Sequence, residues 1–263
     1  MAGPAEVVLS DTRGSAAWIT IDRPDRRNAL NAAVIDGILR GLERSRADPG
    51  VRAVVLTGSG DRAFCSGADL TGPLMEPGSR AKEGHGPGDL ADLILAIGEH
   101  PQPVVARVNG VALAGGLGLM LACDLVVAAD DVEVGTPEVG LGLWPFLISA
   151  VIQRNVPRKV ALDMMMTGRR VSAADAERWG MVNRLVPRRD LDRAVDELID
   201  DLASKSPAAI RLGKEAFFRA QDMALEEALA YLSGMLARGL QTEDMAEGVR
   251  AFLEKRKPKW TGR

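Results

Sequence analysis

Runs of apolar residues alternate with amphipathic segments through the first half of the chain. Short runs typical of strands occur at residues 7–10, 16–22, 52–57, 103–109 and 124–129. Segments with apolar residues every three or four positions, which are typical of helices, occur at residues 29–46, 92–100 and 115–123. This alternation predicts an α/β architecture.

The second half of the chain has a different pattern. After residue 137 it is almost wholly helical, apart from a short predicted strand at 182–186. The last four predicted helices cover residues 190–203, 206–221, 224–238 and 242–255. We therefore expect a C-terminal helical region suited to subunit contacts. Residues 71–89 are rich in Gly, Pro and charge, which predicts a surface loop.

Composition narrows the range of possible chemistry. The 263 residues are 46% hydrophobic and carry a net charge of −3, which argues against nucleic acid as a partner. Two cysteines are too few for a disulfide framework, and two histidines make a His-rich metal site or a Ser-His-Asp triad unexpected. No secretory or membrane-spanning pattern is evident, so we expect a cytoplasmic protein with no membrane partner.

The segment VALAGGLGLML at residues 111–121 places Gly115, Gly116 and Gly118 in an apolar stretch. A phosphate-binding loop would need Lys-Ser/Thr where Gly116 and the next residue stand, and a dinucleotide motif would need glycine instead of Leu121. A bare glycine helix start leaves its N–H groups open to a polarised oxygen, which suggests an oxyanion hole. Close packing of the helix is the alternative explanation.

Several ordered segments resemble the crotonase family of enoyl-CoA hydratases and isomerases. The resemblance rests first on AFCSGADL at 63–70 and VNGVALAGGLGLMLACDLVVA at 108–128. ITIDRPDRRNALN at 19–31, VGTPEVGLGL at 134–143 and MTGRRVSAADAERWGMVNRLVP at 166–187 are similar to further family segments. With KEAFFRA at 214–220 and FLEKRKPKW at 252–260, these segments are spread over about 240 residues, so the signal is far more specific than one short motif.

The resemblance implies a spiral of ββα units with an acyl-CoA site over residues 1–200. Residues 201–263 would form a C-terminal helical trimerisation region, in a homotrimer or homohexamer. Family members bind the thioester oxygen with two backbone N–H groups, which correspond here to Ala68 and Gly115. Of the family's two catalytic glutamates, one corresponds to Glu138, whereas the other corresponds to Gly118 and is missing.

The resemblance also implies a set of substrate and coenzyme A contacts. They correspond to Arg26, Arg27, Ala29, Leu30, Ser66, Ala68, Asp69, Leu70, Gly116, Trp144 and Lys255. From its position we expect Asp69 to cap a helix, and Trp144 to line the acyl pocket or pack in the core. Lys255 corresponds to a family position that reaches the CoA phosphate. No cofactor is implied, because coenzyme A is part of the substrate.

The missing glutamate leaves the reaction open. Glu138 alone could isomerise a double bond, whereas hydration of a 2-enoyl-CoA with one carboxylate should be slower. Apolar neighbours at Val139, Leu141 and Leu143 predict a raised Glu138 pKa. The carboxylates that could substitute are Asp69, Glu76, Asp89 and Asp92. Other acyl-CoA reactions, such as decarboxylation or thioester hydrolysis, and non-catalytic acyl-CoA binding remain alternatives.

Overall fold

The computed structural model describes residues 6–71 and 89–263. Most of the predicted loop at 71–89, including Glu76, lies outside these residues. None of the helices in the two described segments is long and apolar enough to cross a membrane.

The larger of two sheets has six strands in the order β1-β2-β3-β5-β7-β10. Its strands are β1 (Val8–Arg13), β2 (Ala16–Ile21), β3 (Ala53–Gly58), β5 (Val104–Val108), β7 (Leu125–Ala129) and β10 (Arg184–Val186). Only β1 and β2 pair antiparallel; every other neighbouring pair is parallel. All six residues of β3 are buried, as expected for a parallel strand covered on both faces.

The smaller sheet has four strands of three residues each, in the order β4-β6-β8-β9. They are β4 (Ala63–Cys65), β6 (Val111–Leu113), β8 (Glu133–Gly135) and β9 (Arg170–Ser172). The first three pair in parallel, and β9 is antiparallel to β8. Each of β3, β5 and β7 in the large sheet is thus followed by one short strand of the small sheet.

The helices complete this repeating pattern. In chain order they are α1 (Ala32–Ala47), α2 (Leu90–Gly98), α3 (Gly115–Ala122), α4 (Phe146–Asn155), α5 (Arg158–Thr167), α6 (Ala173–Arg178), α7 (Leu191–Ala203), α8 (Pro207–Ala220), α9 (Leu225–Leu240) and α10 (Glu243–Leu253). Two successive ββα units are β3-β4-α2 and β5-β6-α3. One hydrophobic core joins both sheets and helices α1 to α7.

The predicted mixed α/β fold is confirmed, and the last four predicted helices agree with α7 to α10 within two residues at each end. The chain after residue 137 was predicted to contain only one strand, and this was wrong, because it contains β9, which pairs with β8, as well as β10. The small sheet escaped prediction because a strand of three residues shows no measurable period.

Candidate active site

The three proposed catalytic positions follow three neighbouring parallel strands. Ala68 comes three residues after β4, Gly115 two residues after β6, and Glu138 three residues after β8. Since β4, β6 and β8 are adjacent and parallel, their carboxyl ends lie at one edge of the small sheet. Neighbouring strands are about 4.8 Å apart, so the fold brings together residues that lie 70 positions apart in sequence.

Two glycine-bearing segments touch at this edge. A Cβ added to Gly67 would lie 2.7 Å from Cβ of Ala114 and 3.4 Å from the backbone nitrogen of Gly115. Gly67 also has a φ of 98°, a left-handed conformation that disfavours residues with a side chain. Glycine is therefore required for the segment after β4 to approach the start of α3.

The first turn of α3 has no room for side chains on its inner face. A Cβ on Gly116 would overlap the carbonyl of Cys65 in β4. Ala114, immediately before the helix, has a φ of 51° and a ψ of −128°, a conformation that costs a non-glycine residue about 1–3 kcal/mol. Such strain is typical of functional sites, and here it stands beside the proposed donor Gly115.

The N–H groups of Ala68 and Gly115 have no acceptor within the two described segments. Ala68 is exposed and Gly115 is partly exposed. Because Gly115 begins α3 (Gly115–Ala122), its N–H group is one of those that a helix leaves unpaired. Two accessible donors on touching segments can bind one oxygen, and the positive end of the α3 dipole would favour negative charge there.

Glu138 lies in the first turn of a 3-10 helix, Pro137–Leu141. Its Oε2 atom is buried and has no hydrogen-bond partner in the part of the chain that the structure describes. This burial raises the Glu138 pKa above its ordinary value of 4.5. The predicted direction of the pKa change agrees, but the predicted cause was wrong in part, because Leu141 and Leu143 are 70% and 48% exposed.

Gly118 is a packing position in this chain. A Cβ added there would overlap Cγ2 of Ile148 in α4 and lie 2.8 Å from its Cβ. The Ile148 side chain is 3% exposed and belongs to the core. Helix α4 thus fills the space beside α3 into which a carboxylate side chain at residue 118 would project.

Asp69 was predicted to cap a helix, and most of the residues that such a helix would include lie outside the described residues, so this prediction stays untested. The Asp69 carboxylate accepts hydrogen bonds from the N–H and hydroxyl of Thr71, at 3.1 and 2.6 Å, and forms an ion pair of 2.8 Å with Arg23. These contacts lower the Asp69 pKa to about 2, first through the Thr71 hydroxyl and then through Arg23. A carboxylate held in this way is a poor proton acceptor, which removes it as a substitute base.

The remaining predicted contact residues fall into two groups. Ala29, Leu30 and Gly116 are buried, and Ser66 and Trp144 are partly buried, with Trp144 packed against the core. Exposed positions are occupied by Arg26, Arg27, Leu70 and Lys255. Lys255 follows α10 (Glu243–Leu253) with a φ of 53°. The fold places Leu30 beside the segment that carries Ala68, since Leu30 and Ala68 form a parallel β-bridge.

Both cysteines are buried in the core, as expected for small apolar side chains. Burial raises the pKa of the Cys65 thiol to about 12 and also raises that of Cys123. Neither thiol would therefore ionise to a nucleophile near neutral pH.

Sequence reasoning missed Arg23 and Asn28. The Asn28 side chain is fully buried and donates to the carbonyls of Ser59 and Ala63, at 3.0 and 2.7 Å. No local sequence pattern predicts these contacts, because they join residues more than 30 positions apart. The one signal in the sequence was the turn-prone segment at residues 23–28. A polar residue that becomes buried in such a turn needs hydrogen-bond partners.

Solved structures with the same fold include enoyl-CoA hydratases. The enzyme from Mycobacterium smegmatis superposes with a TM-score of 0.88 at 35% identity, covering 97% of this chain and 98% of that one. The Bacillus anthracis enzyme gives a TM-score of 0.89 at 31% identity, covering 98% and 100%. The architecture is therefore that of the crotonase superfamily.

Sequence comparison gives the family. The Enoyl-CoA hydratase/isomerase family model matches residues 11–263. A putative enoyl-CoA hydratase of Thermus thermophilus is 40% identical over 94% of this chain and 98% of its own length. A carnitinyl-CoA dehydratase of Proteus mirabilis is 36% identical over 96% and 97%. The chain belongs to the enoyl-CoA hydratase/isomerase family.

Proposed function

We propose that this protein is an acyl-CoA enzyme that stabilises a thioester enolate with the N–H groups of Ala68 and Gly115 and moves protons with Glu138. The reaction is hydration of a 2-enoyl-CoA or isomerisation of the double bond of an enoyl-CoA. The supporting observation is that all three residues follow adjacent parallel strands of the small sheet. The family relationship supplies the substrate class.

The chemistry follows from the charge that develops on the thioester oxygen. Two N–H donors withdraw electron density from the carbonyl, so that C2 becomes acidic and C3 electrophilic. Loss of one donor of this kind costs about 2.7–4 kcal/mol in the transition state. The Glu138 carboxylate then takes a proton from C2 of a 3-enoyl-CoA and returns it at C4, or takes one from a water that adds at C3 of a 2-enoyl-CoA and returns it at C2.

The desolvated carboxylate suits this role. Burial of Oε2 without a hydrogen-bond partner among residues 6–71 and 89–263 makes the ionised form of Glu138 less stable and so more basic. A carboxyl pKa that approaches the working pH improves general acid–base catalysis. Glu138 is the only residue of the proposed set with a side chain able to move a proton.

The packing of Gly118 against Ile148 favours chemistry with one carboxylate. A second acid–base group is commonly worth about 10²–10⁴-fold in rate. We therefore expect isomerisation to be faster, relative to hydration, than in an enzyme with two glutamates. Hydration stays in the proposal because two relatives carry the names hydratase and dehydratase.

Coenzyme A would be bound as part of the substrate, with no separate cofactor. The exposed cations Arg26, Arg27 and Lys255 are the proposed partners of its phosphates. Replacing Arg26 and Arg27 together by Ala should raise KM for an acyl-CoA more than it lowers kcat. A cytoplasmic location is part of the proposal, in keeping with two unpaired thiols.

A homotrimer or homohexamer is proposed from the C-terminal helices. Helix α9 (Leu225–Leu240) leaves apolar side chains exposed at helical spacing, and α10 (Glu243–Leu253) adds more. The residues are Leu225, Leu229, Leu232, Leu236, Leu240, Val249, Phe252 and Leu253. Such a face is unusual for a monomer, and a second copy of the chain would cover it. Sedimentation should give three or six times the 28.0 kDa chain mass.

The test is turnover of crotonyl-CoA and of 3-enoyl-CoAs, followed by the absorbance of the conjugated enoyl thioester. Wild-type protein should turn over at least one substrate, and Glu138→Gln should lose most of that rate. Glu133→Gln is the matched control, because Glu133 is on β8, five residues away, with a side chain 52% exposed. It should retain the wild-type rate.

Two other results would replace the proposal. Release of free thiol or carbon dioxide across a panel of CoA thioesters, without hydration or isomerisation, would assign a different acyl-CoA reaction. Calorimetric binding of CoA esters that survives Glu138→Ala, with no turnover by either protein, would assign a non-catalytic binder.

A further inference from the structure

The segment that carries Ala68 is fastened on both sides of this residue. The carbonyl of Gly67 accepts from Leu30 N–H at 2.7 Å, and the N–H of Asp69 donates to the Leu30 carbonyl at 2.8 Å. Both bonds belong to the single β-bridge between Leu30 and Ala68. The N–H of Ala68 itself is left out of this pairing, so its position is set by the backbone around Leu30.

One guanidinium group contacts a neighbour of each partner in this bridge. Arg23 donates through one nitrogen to the Ala29 carbonyl at 2.6 Å and through another to the Asp69 carboxylate at 2.8 Å. Arg23 therefore links Ala29, the residue before Leu30, to Asp69, the residue after Ala68. The side chains of Arg23 and Asp69 are only 15% and 11% exposed, so water screens this ion pair weakly.

The base of Arg23 is itself fixed. Its backbone N–H donates to the Asn28 side chain at 3.0 Å, and Asn28 is anchored by the carbonyls of Ser59 and Ala63. Ala63 begins β4 (Ala63–Cys65), the strand that leads to Ala68. The contacts form a closed frame from the end of β2, through the turn at residues 23–30, to the loop after β4.

We propose that Arg23 and Asp69 are positioning residues that aim the Ala68 N–H at the thioester oxygen. The inference rests on the proposed function, because it takes this N–H group as a donor. Oxyanion donors must lie about 2.7–3.1 Å from the oxygen, and a misplacement of about 1 Å can cost 100-fold in rate. Neither side chain needs to touch the substrate for this effect.

A positioning role differs from a general contribution to stability, because loss of the Arg23–Asp69 ion pair should then weaken polarisation of the thioester carbonyl. Arg23→Met keeps an unbranched apolar side chain in place of the arginine stem and removes both hydrogen bonds. We expect kcat to fall about 10- to 100-fold with KM changed less than about threefold. Arg23→Lys can form one of the two bonds and should recover part of the rate.

A second measurement reads the donor directly. Cinnamoyl-CoA, a conjugated enoyl thioester, should absorb at longer wavelength when bound to wild-type protein, because hydrogen bonds to its carbonyl polarise the conjugated system. Arg23→Met should bind it with a smaller shift. Asp69→Asn keeps an acceptor for Thr71, removes the charge, and should also reduce the shift. It serves as the second variant if Arg23→Met does not fold.

The matched control is Arg107→Met. Arg107 lies on β5 of the large sheet. Its side chain is 18% exposed, forms an ion pair of 2.7 Å with Asp192 and donates to the Thr57 hydroxyl, and neither partner is in residues 66–70. Arg107→Met should lower stability without changing kcat or the cinnamoyl-CoA shift. An unchanged kcat and an unchanged shift in Arg23→Met, with a normal wild-type shift, would overturn the positioning role alone. Absence of any shift in wild-type protein would overturn the Ala68 donor, and the positioning role with it.

Discussion

Replacing Gly118 by Ala tests whether α4 closes the space at this position. The new Cβ would overlap Cγ2 of Ile148 and lie 2.8 Å from its Cβ, whereas carbon atoms in contact normally lie about 3.5–4.0 Å apart. Helices α3 and α4 would have to separate by about 1 Å, and overpacking of this kind costs about 1–3 kcal/mol. Better helix propensity returns about 1 kcal/mol.

A second glycine isolates the packing contribution. Gly213 lies within α8 (Pro207–Ala220), and a Cβ added to it would meet nothing within 4 Å. Gly213→Ala should therefore raise the free energy of unfolding by about 0.5–1 kcal/mol through helix propensity alone. Urea unfolding followed by circular dichroism should place Gly118→Ala about 1–3 kcal/mol below Gly213→Ala.

Trimming Ile148 completes the experiment. Ile148→Ala removes the overlapping methyl group but costs about 2–5 kcal/mol in the wild-type core. In the Gly118→Ala background its cost should be smaller by about 1 kcal/mol or more, because it also relieves the clash. Equal stabilisation by Gly118→Ala and Gly213→Ala, or strict additivity with Ile148→Ala, would refute the packing explanation.

Further predictions concern buried charges. Since burial raises the Glu138 pKa, kcat/KM should fall as the pH is lowered through that raised value. Ionised Glu138 also destabilises the fold as pH rises from about 4.5, so Glu138→Gln should be more stable than wild type at pH 7 and equal below about pH 4. Lys214 forms a 2.6 Å ion pair with Asp124, with side chains 8% and 16% exposed. Lys214→Met should cost about 3–5 kcal/mol in urea unfolding.

Each prediction on Glu138 and Lys214 would be contradicted by a specific result. A flat pH profile between about pH 4 and 8 would separate Glu138 from proton transfer. Equal stability of Glu138→Gln and wild type at all pH values would mean that the carboxylate is solvated. Two results would mean that the ion pair is weak. Lys214→Met could lower the free energy of unfolding by less than about 1 kcal/mol, or it could cost as much in the Asp124→Asn background as in wild type.

The large sheet and the C-terminal helices could be predicted from sequence because their periodicity is local. Strands β3 and β5 are buried along almost their full length, and such strands appear as continuous apolar runs. The small sheet could not be predicted in this way. Its strands have three residues each, and their pairing is decided by tertiary contact alone.

The same distinction applies to the site. Gly116 and Gly118 could be singled out because clustered glycines need a local reason, and both proved to be close-approach positions. The Arg23–Asp69 pair could not, because an ion pair across 46 residues leaves no spacing to detect. Gly118 could be recognised as a departure from the family, but only the structure identified Ile148 as the side chain that fills its place.

A crystal structure with a bound, unreactive acyl-CoA would show which groups of the protein contact the thioester oxygen, C2 and C3. The thioester oxygen should lie about 2.7–3.1 Å from the backbone nitrogens of both Ala68 and Gly115. A Glu138 carboxylate oxygen should lie about 3–3.5 Å from C2 or from a water beside C3. A thioester oxygen bound to neither N–H group, or a Glu138 side chain directed away from C2 and C3, would contradict the account.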